Sequence, residues 1–400
     1  MGLNDQVSAE RIHIGFFGLR NAGKSSLVNA VTGQNLSIVS DVLGTTTDPV
    51  KKAMELLPLG PVVIIDTPGM DDEGQLGMQR IKRTRQILNA TDLAVLVTDA
   101  TTELHQLEQE LIALFQERQI PYVLAYNKCD LLSSIPEATA PQTIYVSAKT
   151  GFQMKELKML LGTLGKQKTS VKPLVSDLIH PGDFVLLVTP IDSAAPKGRL
   201  ILPQQQTIRE LLDAGAIPVV AKETEMVQAI NGLKNAPALV ITDSQVFGHV
   251  SKALPNDIPL TSFSILFARY KGNLDILVKG AFALDHLANE SRILISEGCT
   301  HHRQCGDIGT VKLPAWIKQH TGKDLHFSFS SGTEFPEDLS SYDLVIHCGG
   351  CMLNEQEMKS RIRQCQDQNL PMTNYGTAIA HMNGILHRAL MPFSSMTDTK

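Results

Sequence analysis

The sequence predicts an α/β fold, with a doubly wound, mostly parallel sheet in its first part, followed by two smaller α/β domains. Short apolar runs alternate with helical patterns along the chain, an order typical of parallel sheets whose strands are joined by helices. The 400 residues also exceed the roughly 250 to 300 that one core accommodates. We therefore expect three domains, at residues 1–168, 175–262 and 263–400.

Composition excludes several classes of function. The net charge is −5, and basic and acidic residues are mixed along the chain, so no basic surface for nucleic acid is expected. No apolar run approaches the roughly 20 residues that span a bilayer, and the first residues lack a signal-peptide pattern. We expect a cytoplasmic protein that binds neither nucleic acid nor membrane.

The first domain begins with the apolar run "IHIGFF", and four more follow: "PVVIID", "DLAVLVTD", "PYVLAYNK" and "QTIYVSAK". Each reads as a buried strand followed by polar or glycine-rich residues. Ligands of such sheets bind at the carboxyl ends of the strands. We therefore expect the chemistry of this domain in the segments that follow these runs.

A phosphate-binding loop follows the first strand. The segment "GLRNAGKSS" matches G-x-x-x-x-G-K-S/T with Gly18, Gly23, Lys24 and Ser25. Its backbone N–H groups can surround phosphate oxygens, Lys24 can reach the β and γ phosphates, and the Ser25 hydroxyl can bind Mg²⁺. We include the loop neighbours in the predicted site, namely Asn21, Ala22 and Ser26.

Two further segments complete a nucleotide site. "DTPG" follows the second apolar run, where Asp66 can hold Mg²⁺ through water and the Gly69 N–H can meet the γ-phosphate. "NKCD" ends a later strand, and the carboxylate of Asp130 can accept both N1–H and the 2-amino group of guanine. Adenine lacks that donor pair, so we expect GTP.

The remaining guanine contacts are predicted at Asn127, Lys128 and the segment "SAK". "SAK" comprises Ser147, Ala148 and Lys149, and we expect the Ala148 N–H to donate to guanine O6.

These four motifs together make residues 10–165 resemble translation-factor-class GTPases of the Era and TrmE type. The segment "GTTTDP" resembles the "GTTRD" switch loop of that group, which implies that Thr46 contacts Mg²⁺ and the γ-phosphate, with Thr45 and Thr47 as alternatives. Asn21 matches the asparagine that holds K⁺ in potassium-activated members; alternatively it only caps the turn. Met70 stands where signalling GTPases carry a water-orienting Gln, so we expect slow, K⁺-activated hydrolysis.

The middle domain alternates strand and helix patterns with three strongly apolar strands, and it has no recognisable catalytic motif. Its segments are "DFVLLVTPID", "GRLILPQQQTIRELLDAGAIPVVA" and "PALVITDSQ". An unpaired strand edge can pair with a second copy of the chain. We expect this domain to form a homodimer; the alternative is a plain spacer.

Cysteines follow two apolar strands of the last domain. "RILIS" leads to Cys299, and "DLVIH" leads to Cys348 and Cys351. Because parallel strands end at the same edge of a sheet, we expect the three thiols to converge. They could hold a 4Fe–4S cluster with one open iron, complete a zinc site with His301, or include a redox dithiol. We expect Cys129 and Cys365 to be packed or surface thiols and not ligands.

The pair of motifs "CTH" (299–301) and "HCGGC" (347–351), behind such a GTPase domain, resembles the FeFe-hydrogenase maturation GTPases of the HydF family. The resemblance implies a 4Fe–4S cluster on Cys299, Cys348 and Cys351. It also implies a scaffold that receives a diiron precursor from radical-SAM maturases and delivers it to apo FeFe-hydrogenase.

The sequence leaves more than one role open for other residues near the predicted cluster. His301, Glu297 or water could complete the open iron. His347 is also a possible metal ligand, or it could donate to a cluster ligand. His302 and Cys305 could be spectators. The alternative function is a GTP-switched assembly or RNA-modification factor with a structural zinc domain, or a redox-sensing GTPase.

Overall fold

Runs of β-branched and other apolar residues form the strands of three sheets. The structure is a computed structural model, and it describes residues 10–33, 50–67, 84, 86–138, 140–168, 172–190, 200–299, 307–332 and 334–394. The chain divides into two units, Met1–Val171 and Lys172–Lys400.

The first unit contains one six-stranded sheet. Its strands are Ile12–Phe17 (β1), Val50–Leu56 (β2), Gly60–Asp66 (β3), Leu93–Asp99 (β4), Tyr122–Asn127 (β5) and Thr143–Tyr145 (β6). The order is β2-β3-β1-β4-β5-β6, in which β2 is antiparallel to β3 and all other pairs are parallel. The prediction of a mostly parallel sheet is confirmed.

Helices cover both faces of this sheet. They are Lys24–Thr32 (α1), Gln106–Glu117 (α2) and Met154–Lys168 (α3). Helices α1 and α3 pack in one core with Ile14 and Phe16 of β1. Helix α2 packs in a second core with Phe17 of the same strand. Alternate side chains of β1 thus enter opposite cores, which is the doubly wound arrangement that the sequence predicts.

The second unit contains two four-stranded sheets, and every strand pair in them is parallel. The first has the order β10-β9-β7-β8, with Phe184–Val188 (β7), Ile217–Ala221 (β8), Leu239–Thr242 (β9) and Leu260–Ser262 (β10). The second has the order β12-β11-β13-β14, with Arg292–Glu297 (β11), His326–Ser331 (β12), Leu344–His347 (β13) and Met372–Asn374 (β14).

Nine α-helices accompany these sheets within the described residues. They are Leu202–Asp213 (α4), Met226–Gly232 (α5), Phe247–Ala253 (α6), Phe263–Lys271 (α7), Leu274–Ala281 (α8), Leu313–Thr321 (α9), Glu355–Asp367 (α10), Tyr375–Met382 (α11) and Leu386–Ser394 (α12).

One apolar core joins the two sheets of the second unit. It contains Leu186 and Val240 of the first sheet together with Ile293 and Ile346 of the second. The predicted domain boundary after residue 262 falls where β10 meets α7. The two sheets share one apolar core, and the boundary stays a prediction.

Across the described residues, no helix combines the length and the apolar character needed to cross a membrane.

Candidate nucleotide and metal-cluster sites

The phosphate loop connects β1 to α1, and its two motif glycines are sterically required. Gly18 has φ 146°, and a Cβ there would lie 2.1 Å from the Val97 carbonyl oxygen. Gly23 has φ 86°, and a Cβ there would lie 2.2 Å from Asn127 Nδ2. Lys24 is buried, and its Nζ donates to the Leu19 carbonyl at 3.3 Å. The Lys24 side chain thus bends back toward the phosphate loop, where it is predicted to bind phosphate.

Ser25 and Asp66 meet at the carboxyl ends of β1 and β3. The strand register pairs Phe16 with Asp66, and the Ser25 hydroxyl donates to Asp66 Oδ2 at 3.0 Å. Among the described residues, Asp66 Oδ1 is buried and has no hydrogen-bond partner. Burial raises the pKa of Asp66, although the Ser25 hydrogen bond and the charge of Lys24 partly oppose the shift. A cation beside Ser25 would compensate this buried carboxylate, so the residues fit Mg²⁺.

Asn127 connects the phosphate loop to the guanine loops. Its Nδ2 donates to the Ala22 carbonyl at 3.0 Å, and its Oδ1 accepts the Ala148 N–H at 3.0 Å. The Ala148 N–H, which we expected to serve guanine O6, therefore donates to Asn127 in this structure. Asn127 holds three loops together at the edge of the sheet.

Asp130 is exposed beside these loops, as a base-reading carboxylate must be. The Ser147 hydroxyl donates to Asp130 Oδ1 at 2.6 Å and so orients the carboxylate. Lys128 has φ 65°, and its Nζ lies 2.6 Å from Asp99 Oδ2. Asp99 is a contact that the motifs did not indicate. Lys149 is exposed on the following turn.

Two further predicted residues lie at the rim of the phosphate loop. Asn21 is exposed with φ 64°, a left-handed conformation that asparagine tolerates. Ser26 is exposed in the first turn of α1. The rest of the predicted catalytic set lies outside the described residues, namely Thr45, Thr46, Thr47, Gly69 and Met70.

The second site lies at the ends of β11 and β13, which are neighbouring parallel strands. The Cys348 N–H donates to the Ser296 carbonyl at 2.9 Å, which extends the pairing to the cysteine. Cys348 Sγ accepts N–H groups from Gly298 at 3.1 Å and from Gly350 at 3.3 Å. The two loops that carry the cysteines therefore converge on one sulfur atom.

Cys299 and Cys351 both interact with Cys348. Burial raises the pKa of Cys348 to about 12, and the nearby sulfurs of Cys351 and Cys299 contribute to the shift. Burial also raises the pKa of Cys351, which the charge of Lys271 opposes. Two buried thiols that resist ionisation, with Cys299 beside them, fit a metal centre, because a bound metal stabilises the thiolates. The donated N–H groups suit cluster-bound sulfur.

Lys271, which the sequence analysis did not single out, supports the Cys351 loop. It is the last residue of α7 and is 3% exposed. Its Nζ donates to the carbonyls of Cys351 at 2.8 Å, Leu353 at 2.7 Å and Gly350 at 3.4 Å. A lysine at the end of the apolar segment "FSILFARYK" was the only sequence signal.

His347 lies at the end of β13 with both ring nitrogens engaged. Its Nδ1 lies 2.8 Å from the Cys348 carbonyl, and its Nε2 lies 2.9 Å from Arg361 Nη1. Because arginine is always a donor, Nε2 accepts and Nδ1–H donates. Burial, followed by the charge of Arg361, lowers the pKa of His347 to about 3. The ring therefore donates, as a neutral imidazole, to the backbone of Cys348.

Glu297 is buried at the end of β11. The Tyr375 hydroxyl donates to Glu297 Oε1 at 3.2 Å. Burial, then the charges of Glu297 and Cys348, raise the pKa of Tyr375 well above its usual value, which places all three groups together. Glu297 thus stays a candidate ligand, whereas His301, His302 and Cys305 lie outside the described residues. Cys129 and Cys365 are both buried.

Comparison with known protein families identifies the family of this chain. A family model described as "Hydrogen maturase F dimerization domain" matches residues 174–272, and one described as "Hydrogen maturase F tetramerization domain" matches residues 275–392. A third, described as "50S ribosome-binding GTPase", matches residues 13–128. The chain belongs to the hydrogen maturase F family. In this maturase, the cysteine site lies inside the segment that matches the tetramerization domain, and both matches indicate self-association.

Curated relatives match the GTPase part of the maturase. "GTPase Der" of Sulfurimonas denitrificans is 32% identical over 130 residues, which cover 32% of this chain and 26% of that protein. "tRNA modification GTPase MnmE" of Nitrosomonas europaea is 34% identical over 163 residues, which cover 40% of this chain and 36% of that protein. The matches thus span about a quarter to about a third of these relatives. The first unit is a GTPase domain related to both.

Among solved structures, a crystal structure of Era from Aquifex aeolicus bound to GDP.AlF4- is 17% identical. It covers 80% of this chain and 92% of that chain, with a TM-score of 0.34.

Proposed function

We propose that the chain is a GTP-hydrolysing scaffold of FeFe-hydrogenase maturation, which carries a 4Fe–4S cluster and delivers a diiron precursor to apo-hydrogenase. The observation that carries the proposal is the convergence of Cys299, Cys348 and Cys351 at the ends of two adjacent strands. It occurs in a chain that combines a GTPase domain with both hydrogen maturase F domains.

The nucleotide site supports GTP binding and hydrolysis. Lys24 would neutralise the β and γ phosphates, while Ser25 and Asp66 would hold Mg²⁺, which supplies charge neutralisation at the phosphates. Asp130, oriented by Ser147, would accept the two guanine donors. These groups bind and orient the nucleotide before any chemical step.

Asn21 supports a K⁺-dependent rate. Its carboxamide is exposed at the rim of the phosphate loop, and its left-handed backbone shapes the loop there. A carboxamide oxygen suits an alkali cation, which would supply positive charge beside the phosphates. The bound cation would then take the place of an arginine finger.

The cysteine site supports a cluster with an exchangeable position. Three thiolates would hold a 4Fe–4S cluster and leave one iron available to another ligand. Lys271, Gly298 and Gly350 surround the loops with positive charge and N–H donors. The diiron precursor would be cargo, received from radical-SAM maturases and passed to apo FeFe-hydrogenase. Such thiolates suit a reducing cytoplasm.

Strand β8 supports a homodimer. It lies at one end of its sheet and exposes Ile217 (44%) and Val220 (45%). The neighbouring helices expose Leu212 (57%) and Val227 (51%). An apolar strand edge of this kind pairs readily with a second copy of the same strand.

Anaerobic reconstitution with iron and sulfide tests the proposal. We expect the wild-type chain to bind about four irons with matching acid-labile sulfide, as a 4Fe–4S cluster requires, and to give an EPR signal after reduction. Cys299→Ser, Cys348→Ser and Cys351→Ser should each lose the cluster, while GTP hydrolysis continues. Cys365→Ser is the matched control, because Cys365 packs in a separate core. A stoichiometric zinc content without sulfide would instead support the zinc-domain alternative.

A further inference from the structure

Two histidines converge on one carboxylate in the second unit, away from the cysteine motifs in sequence. Asp285 lies in the 3-10 helix Phe282–His286, His320 in the last turn of α9, and His381 in the last turn of α11. His320 Nε2 lies 2.9 Å from Asp285 Oδ1, and His381 Nε2 lies 2.9 Å from Asp285 Oδ2. Side chains from three separate helices thus meet at one place.

The spacing of these atoms suits a metal ion. One ligand atom from each residue lies within 4.8 Å of those of the other two. Zinc binds imidazole nitrogen and carboxylate oxygen at about 2.0 to 2.2 Å, so neighbouring ligand atoms of such a site lie about 3 Å apart. The two nitrogen–oxygen distances of 2.9 Å already match that separation. In a metal site the two imidazoles and the carboxylate would bind the ion in place of their hydrogen bonds to one another.

The surroundings favour a cation at this point. His320 and His381 both lie in the last turns of their helices, where the carbonyl ends carry partial negative charge. The ring of Phe282 meets the ring of His381 edge to face at 4.9 Å, which fixes the orientation of that imidazole. The hydrogen bond from His320 is the largest of the effects that lower the pKa of Asp285, so the carboxylate is ionised.

The site is accessible from solvent. The side chains of His381, His320 and Asp285 are 13%, 26% and 44% exposed. A metal held by these three groups would therefore keep at least one coordination position for water or an exogenous ligand. Two histidines and one carboxylate with an open position are typical of zinc and iron(II) centres that bind substrates.

We propose that Asp285, His320 and His381 form a binding site for a divalent first-row transition-metal ion with an open coordination position. The site uses none of the cysteines and does not depend on the function proposed above. Thiolates select soft metals and clusters, whereas two imidazoles and a carboxylate select borderline divalent ions. The chain would then carry two metal centres of different chemistry in the same unit.

Cobalt(II) binding to the full chain tests the proposal. The measurement uses untagged protein saturated with Mg²⁺ and GDP, in a background with Cys299→Ser, Cys348→Ser and Cys351→Ser, so that neither the nucleotide site nor the thiols contribute. We expect one Co²⁺ per chain, with visible d–d absorption and without thiolate charge-transfer bands. Asp285→Asn, His320→Ala and His381→Ala should each weaken binding at least about tenfold, as the loss of a ligand does.

His326→Ala is the matched control. His326 pairs with Glu290 at the surface as a single histidine and a single carboxylate, so it should have no effect on Co²⁺ affinity. Thermal unfolding gives a second readout, since a metal that binds only the folded state raises the Tm of the background protein. Asp285→Asn preserves the size of the side chain and should fold while losing that rise. The proposal is wrong if the background protein binds no Co²⁺, or if Asp285→Asn binds it unchanged.

Discussion

Arg361 Nη1 donates to His347 Nε2 at 2.9 Å, and both side chains are almost completely buried. Arg361 also donates to Glu357 Oε1 from Nη2 at 3.0 Å and from Nε at 3.2 Å. The other nitrogen of His347 lies 2.8 Å from the Cys348 carbonyl. A buried ion pair on α10 thus determines the proton position on the histidine that holds the cysteine loop.

The first prediction concerns this ion pair. Arg361→Gln should destabilise the second unit by about 3 to 5 kcal/mol, because it leaves the buried carboxylate of Glu357 without its partner. Chemical denaturation followed by circular dichroism measures the change. The double variant Arg361→Gln with Glu357→Gln removes the orphaned charge and should recover part of the loss. If the double variant is as unstable as the single one, charge pairing is not the cause.

The second prediction concerns Lys271, whose Nζ donates to three carbonyls of the loop that carries Cys351. Lys271→Met keeps the apolar stem and removes the donors, which should cost at least about 1.5 to 3 kcal/mol, the value of a single hydrogen bond to a charged group. Reconstituted protein should also lose iron faster to a chelator. Lys279→Met, at an exposed position of α8, is the control and should change neither property.

Except for the partly exposed edge strand β8, the strands that the sequence predicted are largely buried, and those it missed are polar or short. β1, β3, β4 and β5 are continuous apolar runs. β2 was missed because "VKKAMEL" has charged residues on an edge strand that pairs on one side. β12 was missed because "HFSFSS" alternates with serines, and the three-residue strands β10 and β14 carry too little pattern.

Site residues could be predicted where a local sequence pattern sets their position, and they could not be predicted where tertiary packing sets it. Asp66 ends an apolar strand, Cys348 directly follows one, and Lys24 follows the loop after another, so their place at the sheet edge is encoded locally. Lys271 and Arg361 act on residues far away in sequence, and each looks like an ordinary charge on a helix. Such contacts depend on tertiary packing, which no local pattern records.

The third prediction concerns the base. Asp130→Asn replaces one acceptor by a donor, so it should lower the affinity for GTP by about 100-fold, given about 1.5 to 3 kcal/mol for a hydrogen bond to a charged group. Affinity for xanthosine triphosphate should rise, because xanthine offers an acceptor in place of the 2-amino group. Competition against a fluorescent nucleotide measures both. Equal competition by ATP and GTP in the wild type would contradict the assignment of the base.

The fourth prediction concerns Asn21 and potassium. GTP hydrolysis by the wild type should be at least about tenfold faster in KCl than in NaCl, as expected for added positive charge at the phosphates. Phosphate release measures the rate. Asn21→Gly is the sharpest variant, because glycine adopts the observed φ of 64° without strain and lacks only the carboxamide. If Asn21→Gly keeps the difference between the two salts, the side chain is not the potassium ligand.

The fifth prediction concerns self-association through β8. Val220 is 45% exposed on this strand, and Val220→Lys places a charge at the edge that would pair with a second copy. The variant should shift the protein toward smaller species in light scattering at micromolar concentration, with GTP hydrolysis unchanged. Met159→Lys, a change at another exposed apolar residue on α3, is the control and should leave the oligomer intact. If Val220→Lys has the same size as the wild type, the β8 edge is not the seam, and the segment that matches the tetramerization domain becomes the surface to test.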